Sequence, residues 1–82
     1  MTRLTLIGKP DCHLCEDARA IVDEVLTEFP DVVVEERSIL EEPELFEAYV
    51  EEIPVVLIDG RVHTIWRVDA ARLRTALAAA SG

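Results

Sequence analysis

Hydrophobic positions along the chain switch between two periods, and each switch marks a new element. Leu4-Thr5-Leu6-Ile7 is a short apolar run that predicts a strand over Arg3–Ile7, ended by Gly8 and Pro10. Leu14, Ala18, Ile21, Val22, Val25, Leu26 and Phe29 then recur at helical spacing, predicting a helix from Cys12 to Phe29. Asp11 is positioned to cap it and Pro30 to stop it. Val32-Val33-Val34 opens a second strand that runs into the charges Glu35, Glu36 and Arg37. Pro43 suits the first turn of a short helix with Leu45, Phe46, Tyr49 and Val50 on one side. Val55-Val56-Leu57-Ile58 is apolar throughout, as a strand buried on both faces would be. Asp59-Gly60 is a tight-turn signal that returns the chain as a fourth strand, Arg61–Val68, with Val62, Thr64, Trp66 and Val68 on one face. Asp69 is read as the cap of a last helix carrying Leu73 and Leu77, with Ser81 and Gly82 as its frayed end.

The resulting order is βαβαββα. The first β-α-β unit must be parallel and right-handed, whereas the Asp59-Gly60 turn forces the last two strands antiparallel. An open, four-stranded mixed sheet with helices on both faces satisfies both constraints. A chain of 82 residues, half of them apolar, supports one domain with a real core. Met1-Thr2-Arg3 leads into only four strand-like apolar residues, too few for a signal segment or a membrane span. A soluble, cytoplasmic monomer is expected.

Charge narrows the partners. The net charge is −9, and residues 35–52 hold eight glutamates against Arg37 alone. Residues 61–82 hold Arg61, Arg67, Arg72 and Arg74 against Asp69. Nucleic-acid binding needs a basic footprint, which such a balance lacks. The acidic run reads as a solvated helix face, or as a field that steers a basic partner. The C-terminal arginines either serve solubility or answer the acidic segment internally.

The chemistry concentrates in Cys12-His13-Leu14-Cys15, which contains both cysteines of the chain. Two intervening residues put the thiols on one helical face, within reach of a disulfide. Cys12 falls where the free amides of a helix N-terminus favour an anion, and the thiolate is the nucleophile. Three readings compete: a reversible dithiol, half of a zinc site with His13 or His63 as further ligands, and two inert packed thiols. In a reducing compartment a CxxC pair is more often catalytic than structural.

The β-order with CxxC after the first strand and Pro54 before the third resembles the glutaredoxin branch of the thioredoxin fold. Lys9-Pro10-Asp11-Cys12-His13-Leu14-Cys15 is similar to the K-P-x-C-x-x-C opening of that family. Ile53-Pro54-Val55 stands where the family carries its cis-proline, and Ile58-Asp59-Gly60 matches the hairpin after it. The small bacterial glutaredoxin-like proteins with a Trp-Arg-Val-Asp stretch, here Trp66–Asp69, are the most similar branch. The resemblance implies a thiol–disulfide oxidoreductase that needs no cofactor beyond its dithiol. It makes Cys12 the attacker and Cys15 the buried resolving thiol. Pro54 would be cis, leaving the backbone of Ile53 free to pair with an extended substrate, and Lys9 would meet a carboxylate of glutathione. The expected partners are a protein disulfide or low-molecular-weight thiol and a thiol reductase system.

One departure bears on the substrate. Glutathione-using members carry a Gly-Gly pair before the last helix, whereas Ile65-Trp66-Arg67-Val68-Asp69 contains no glycine. The departure argues against glutathione and leaves protein disulfides open. His13 either tunes the thiol or faces solvent. His63 reads as an ordinary surface or packing residue. Trp66 is expected in the core; beside the cysteines it would instead line the substrate groove and block the glutathione pose. Two rivals stay open: a zinc or iron–sulfur module on the same cysteines, and a non-catalytic interaction domain.

Overall fold

The structure, a computed structural model, describes residues 2–81; Met1 and Gly82, the second half of the expected frayed end, lie outside them. Its elements are β1 (Arg3–Gly8), α1 (His13–Leu26), β2 (Val33–Ser38), α2 (Pro43–Tyr49), β3 (Val55–Ile58), β4 (Arg61–Ile65) and α3 (Ala70–Ser81). They form a thioredoxin-fold sheet of order β2-β1-β3-β4. β1 runs parallel to β2 and antiparallel to β3, and β3 runs antiparallel to β4. Asp59 and Gly60 both take left-handed backbone, with φ 50° and 84°, the turn whose twist matches that of paired strands.

The period of two sorts the central strands between two cores. Leu4, Leu6 and Val56 point to one face and pack with Ala18, Val22 and Val25 of α1 and Leu73 and Leu77 of α3. Ile7 and Val55 point to the other, where Ile39 joins them beside Leu45 and Tyr49 of α2. Helices therefore cover both faces, as the order of elements demands. On α2 only Leu45 and Tyr49 turn inward; Phe46 and Val50, expected on the same side, are exposed. The apolar set is wider than the stripe a two-turn helix can bury.

α1 and β4 differ most from expectation, each for a local reason. α1 ends at Leu26 rather than Phe29, because the amides of Glu28 and Phe29 reach back only three residues, to Val25 and Leu26. β4 carries a bulge: Thr64 pairs with Val56 and Val62 with Leu57, leaving His63 as the extra residue. The strand then stops at Ile65, because Trp66 turns into left-handed backbone at φ 66°. Bulge and turn destroy the expected alternation, so Val62 and Trp66 are exposed while Val68 joins the core. The cap of α3 is as read, with the Arg72 amide donating to Asp69 Oδ1 at 3.0 Å. No helix among the described residues is long and apolar enough to cross a membrane.

Ion pairing settles the arginine question for one residue. Arg74 pairs with Glu28 at 2.7 Å, outside the acidic run. Arg19 instead meets Glu36 at 3.1 Å, and Arg37 meets Glu35 and Glu42.

Candidate functional site

The helix that carries the motif begins one residue later than the sequence implies. Cys12, not Asp11, is the N-cap of α1: its backbone is extended, and its Sγ accepts the Cys15 amide at 3.3 Å. Asp11 takes left-handed backbone, φ 58°, which swings the chain so that the sulfur rather than the carboxylate lies over the free amides. Cys12 is half-buried at the end of the helix dipole that attracts negative charge.

Cys15, one turn further in, lies against β1. A Cβ built on Gly8 would stand 2.9 Å from Cys15 Sγ and 3.2 Å from its Cβ, so only glycine admits the thiol at this depth. Cys15 is 9% exposed. Burial and the neighbouring Cys12 push its thiol from the ordinary 9.0 up to about 11, partly offset by the backbone and charge of Lys9. One thiol is thus presented and the other withheld.

The remaining expected residues divide. The Ile53–Pro54 bond is cis. The Ile53 amide is not free for a partner, since it donates to Tyr49 O at 3.1 Å. The end of α2 takes that donor, and the Ile53 carbonyl accepts none of the backbone hydrogen bonds of the turns and loops among the described residues. Lys9 is exposed and lines a crevice of about 340 Å³ together with Gly8, Cys15, Arg19 and Glu36. His13 stands in solvent, 98% exposed, with Nδ1 4.0 Å from Glu16. His63, at the bulge, has a buried Nε2 with no hydrogen-bond partner; burial and Arg72 hold its imidazole below the usual range. Among the described residues, no three His, Cys, Asp or Glu side chains converge to hold a metal ion.

Trp66 is the largest correction. It is 53% exposed rather than in the core. Its amide donates to Pro54 O at 2.8 Å and to Glu52 O at 3.3 Å, and its indole Nε1 donates to Glu51 O at 2.9 Å. Three hydrogen bonds therefore tie it to the loop that carries the cis-proline. Gly8 is the residue that sequence reasoning passed over, and Trp66 the one it placed in the core with the groove as the alternative. Gly8 read as a strand terminator, although its place before Lys9-Pro10 is a signal for close backbone approach. Trp66 read as a strand residue because a bulge has no sequence mark of its own.

Comparison with known proteins agrees with this arrangement. An uncharacterized protein of Mycobacterium tuberculosis, and its counterpart in Mycobacterium bovis, are 29% identical over 80 residues, covering 93% of this chain and 82% of theirs. The solved X. campestris protein XcR50 is 34% identical, with a TM-score of 0.69 over 93% of this chain and 96% of its own. Oxidised thioredoxin from Plasmodium falciparum superposes with a TM-score of 0.69 at 12% identity, covering 99% of this chain and 82% of that one. Thioredoxin O2 from Arabidopsis thaliana in its oxidised state gives 0.69 at 18% identity, covering 96% and 74%. At those identities the two thioredoxins show the fold alone. Two neighbouring cysteines on a thioredoxin fold support a redox role. Residues 3–78 match the Glutaredoxin-like domain (DUF836), and the chain belongs to that glutaredoxin-like family.

Proposed function

We propose that this protein is a thiol–disulfide oxidoreductase that reduces protein disulfides in a reducing compartment such as the cytoplasm. The observation that carries the reading is the asymmetry of the two thiols. Cys12 is half-buried at a helix N-terminus and accepts a backbone amide, whereas Cys15 is buried and pushed up to about 11.

That asymmetry orders the cycle. Cys12 thiolate attacks one sulfur of the substrate disulfide, forming a mixed disulfide and expelling the other sulfur as a thiolate that takes a proton from water. Cys15 stays protonated meanwhile and does not compete. Once the Cys12 sulfur is bound to substrate, its share of the upward push on Cys15 is gone, and burial alone opposes ionisation. Cys15 then loses its proton and attacks Cys12 Sγ, releasing the second substrate thiol and leaving a Cys12–Cys15 disulfide. Two electrons have passed from the dithiol to the substrate, and a cellular dithiol reductase returns them. The Ile53 carbonyl is the backbone group left to receive an amide of an extended substrate.

The test is reduction of insulin disulfides by the reduced protein. Wild type turns over, Cys12→Ser does not, and Cys15→Ser accumulates the mixed disulfide, visible by mass. Coupling to thioredoxin reductase sustains turnover, while coupling to glutathione and glutathione reductase does not. Unchanged reduction by Cys12→Ser sinks the reading, as does stoichiometric, chelatable metal in protein purified under reducing conditions.

A further inference from the structure

α2 carries more than the fold asks of it. Leu45 and Tyr49 turn inward and pack against Ile7, Ile39 and Val55. Phe46 and Val50 join neither core and stay 44% and 39% exposed. The Val50 amide donates to Phe46 O at 3.0 Å, so the two side chains stand one helical turn apart on one flank. An apolar pair left in water beside charged neighbours has the layout of an interface centre with its rim.

The charge on the same helix works against the helix. Glu44, Glu47 and Glu51 are exposed, and spacings of three and four residues line them up in one stripe. The helical turn continues past Tyr49, because the Ile53 amide reaches back four residues to Tyr49 O at 3.1 Å, and Glu51 keeps the register. Glu47 borders both apolar side chains, directly after Phe46 and three residues before Val50. Like charges at these spacings repel one another. Glu47 and Glu51 also lie toward the C-terminal end of the dipole, which disfavours carboxylates, and the last turn holds no basic residue. Among the described residues none of the three glutamates makes an ion pair. Arg37 is held by Glu35 and Glu42, and residues 38–60 contain no lysine, arginine or histidine. A stripe that opposes its own helix and is answered nowhere in the chain points to a task outside it.

Whatever answers it brings positive charge. Nucleic acid and an anionic lipid surface bring phosphate, which the stripe repels. A second copy of this chain brings a further −9 and the same three glutamates. A protein segment with lysine or arginine around an apolar side chain supplies both halves, cations for the stripe and cover for Phe46 and Val50. α2 runs directly into the loop that carries Pro54, and Glu51 O accepts the Trp66 indole N–H at 2.9 Å.

We propose that the Phe46–Val50 face of α2, with the Glu44–Glu47–Glu51 stripe along it, docks a basic amphipathic segment of a partner protein. The surface goes beyond the redox reading above and does not depend on it.

Isotope-labelled protein titrated with synthetic helical peptides free of cysteine reads the contact residue by residue, from amide NMR shifts. The first peptide carries leucines four apart with lysines beside them. The second exchanges its lysines for glutamates, and the third its leucines for serines. Shifts with the first peptide concentrate on residues 44–51 and are absent with the second. The third binds several-fold more weakly than the first. The triple variant Glu44→Gln, Glu47→Gln, Glu51→Gln binds the first peptide about tenfold more weakly at low salt. Asp23→Asn, Glu24→Gln, Asp31→Asn removes equal charge at exposed positions outside α2 and changes binding less than about twofold.

A second variant separates docking from folding. Glu47→Gln with Glu51→Gln relieves repulsion within α2, and its urea midpoint rises above that of wild type. A lowered midpoint would give the stripe a structural task and overturn the proposal. Absence of binding by the first peptide, shifts spread over Asp23 and Asp31 as well, or equal weakening by the two triple variants would overturn it too. Sedimentation supplies the remaining outcomes. Wild-type dimers lost in Phe46→Gln, or wild type carried down by phosphatidylserine vesicles, would hand the face to another occupant and sink the basic partner.

Discussion

On the inner side of the motif Cys15 presses against Gly8, where a single added methyl carbon would come within 2.9 Å of its sulfur. On the outer side Leu14 lines a groove together with Trp66, which is half open to solvent. Neighbouring residues of one helical turn thus meet two kinds of surroundings. The inner wall is defined by an absent atom, since glycine is the side chain that leaves room for sulfur. The outer wall is defined by backbone conformation, through Trp66 at φ 66°, and Asp11 at φ 58° sets the end of the helix. One short motif thereby yields two chemically distinct thiols. Depth withholds a proton from one sulfur, and a turn of chain presents the other at a helix end.

The comparison supposes one rigid core beneath both walls, and Leu73→Ala tests that supposition with the largest expected effect. Leu73 is fully buried among residues of β1, β3 and α1. Its truncation leaves a cavity and costs about 2–5 kcal/mol, measurable by urea unfolding. A loss below about 1 kcal/mol would mean that the core collapses onto the gap and that the inner wall is softer than its contacts imply.

The withheld proton gives the next effect, and its sign follows from the direction of the shift. The folded-state value of Cys15 is raised, from 9.0 to about 11. Its contribution to stability is therefore fully present below pH 9 and is lost as pH rises toward 11. The size is on the order of 2 kcal/mol. Other groups titrate in the same window, so the quantity to measure is the difference between wild type and Cys15→Ala. The variant's stability should fall less steeply between those two pH values. Parallel curves would show that the two thiols are not distinguished by depth.

Gly8→Ala and Leu14→Ala set one wall directly against the other. The first forces a methyl into contact with Cys15 and costs about 1–3 kcal/mol, as overpacking does. The second trims a half-exposed side chain and costs under about 1 kcal/mol. Mixed-disulfide lifetime follows the same order, because only the first displaces the resolving sulfur. Equal destabilisation by the two would erase the distinction between a closed and an open wall.

The legible part of the molecule was the part written in side-chain periodicity. The apolar run Leu4-Thr5-Leu6-Ile7, the helical stripe of α1 and the Asp59-Gly60 turn each announce their element, and together they leave little freedom in the topology. The motif and Pro54 were legible too, through their resemblance to a family. What escaped was backbone geometry. A bulge at His63 adds one residue without changing composition, and it carries Trp66 from an expected core position to the rim of a groove. The N-cap escaped similarly: Asp11 has the better capping side chain, but its left-handed backbone hands the role to the sulfur of Cys12. Both failures share a cause, since propensity describes side chains and these positions are decided by φ.

Asp11 supplies the smallest and most discriminating test of that cause. Removing its carboxylate also removes a charge near a helix N-terminus, an effect of about 0.3–1 kcal/mol that would mask a backbone contribution. Asp11→Asn and Asp11→Gly remove the same charge, so their difference isolates the conformation. Left-handed backbone disfavours a side chain and favours glycine, while glycine loses more freedom on folding. The two nearly cancel, and Asp11→Gly should be at least as stable as Asp11→Asn, within about 0.5 kcal/mol. At an ordinary extended position the freedom term stands alone, and glycine would be the less stable by about 0.5–1 kcal/mol. That second outcome would put Asp11 back in extended backbone, return the cap to its carboxylate, and remove the reason why the Cys12 sulfur faces outward.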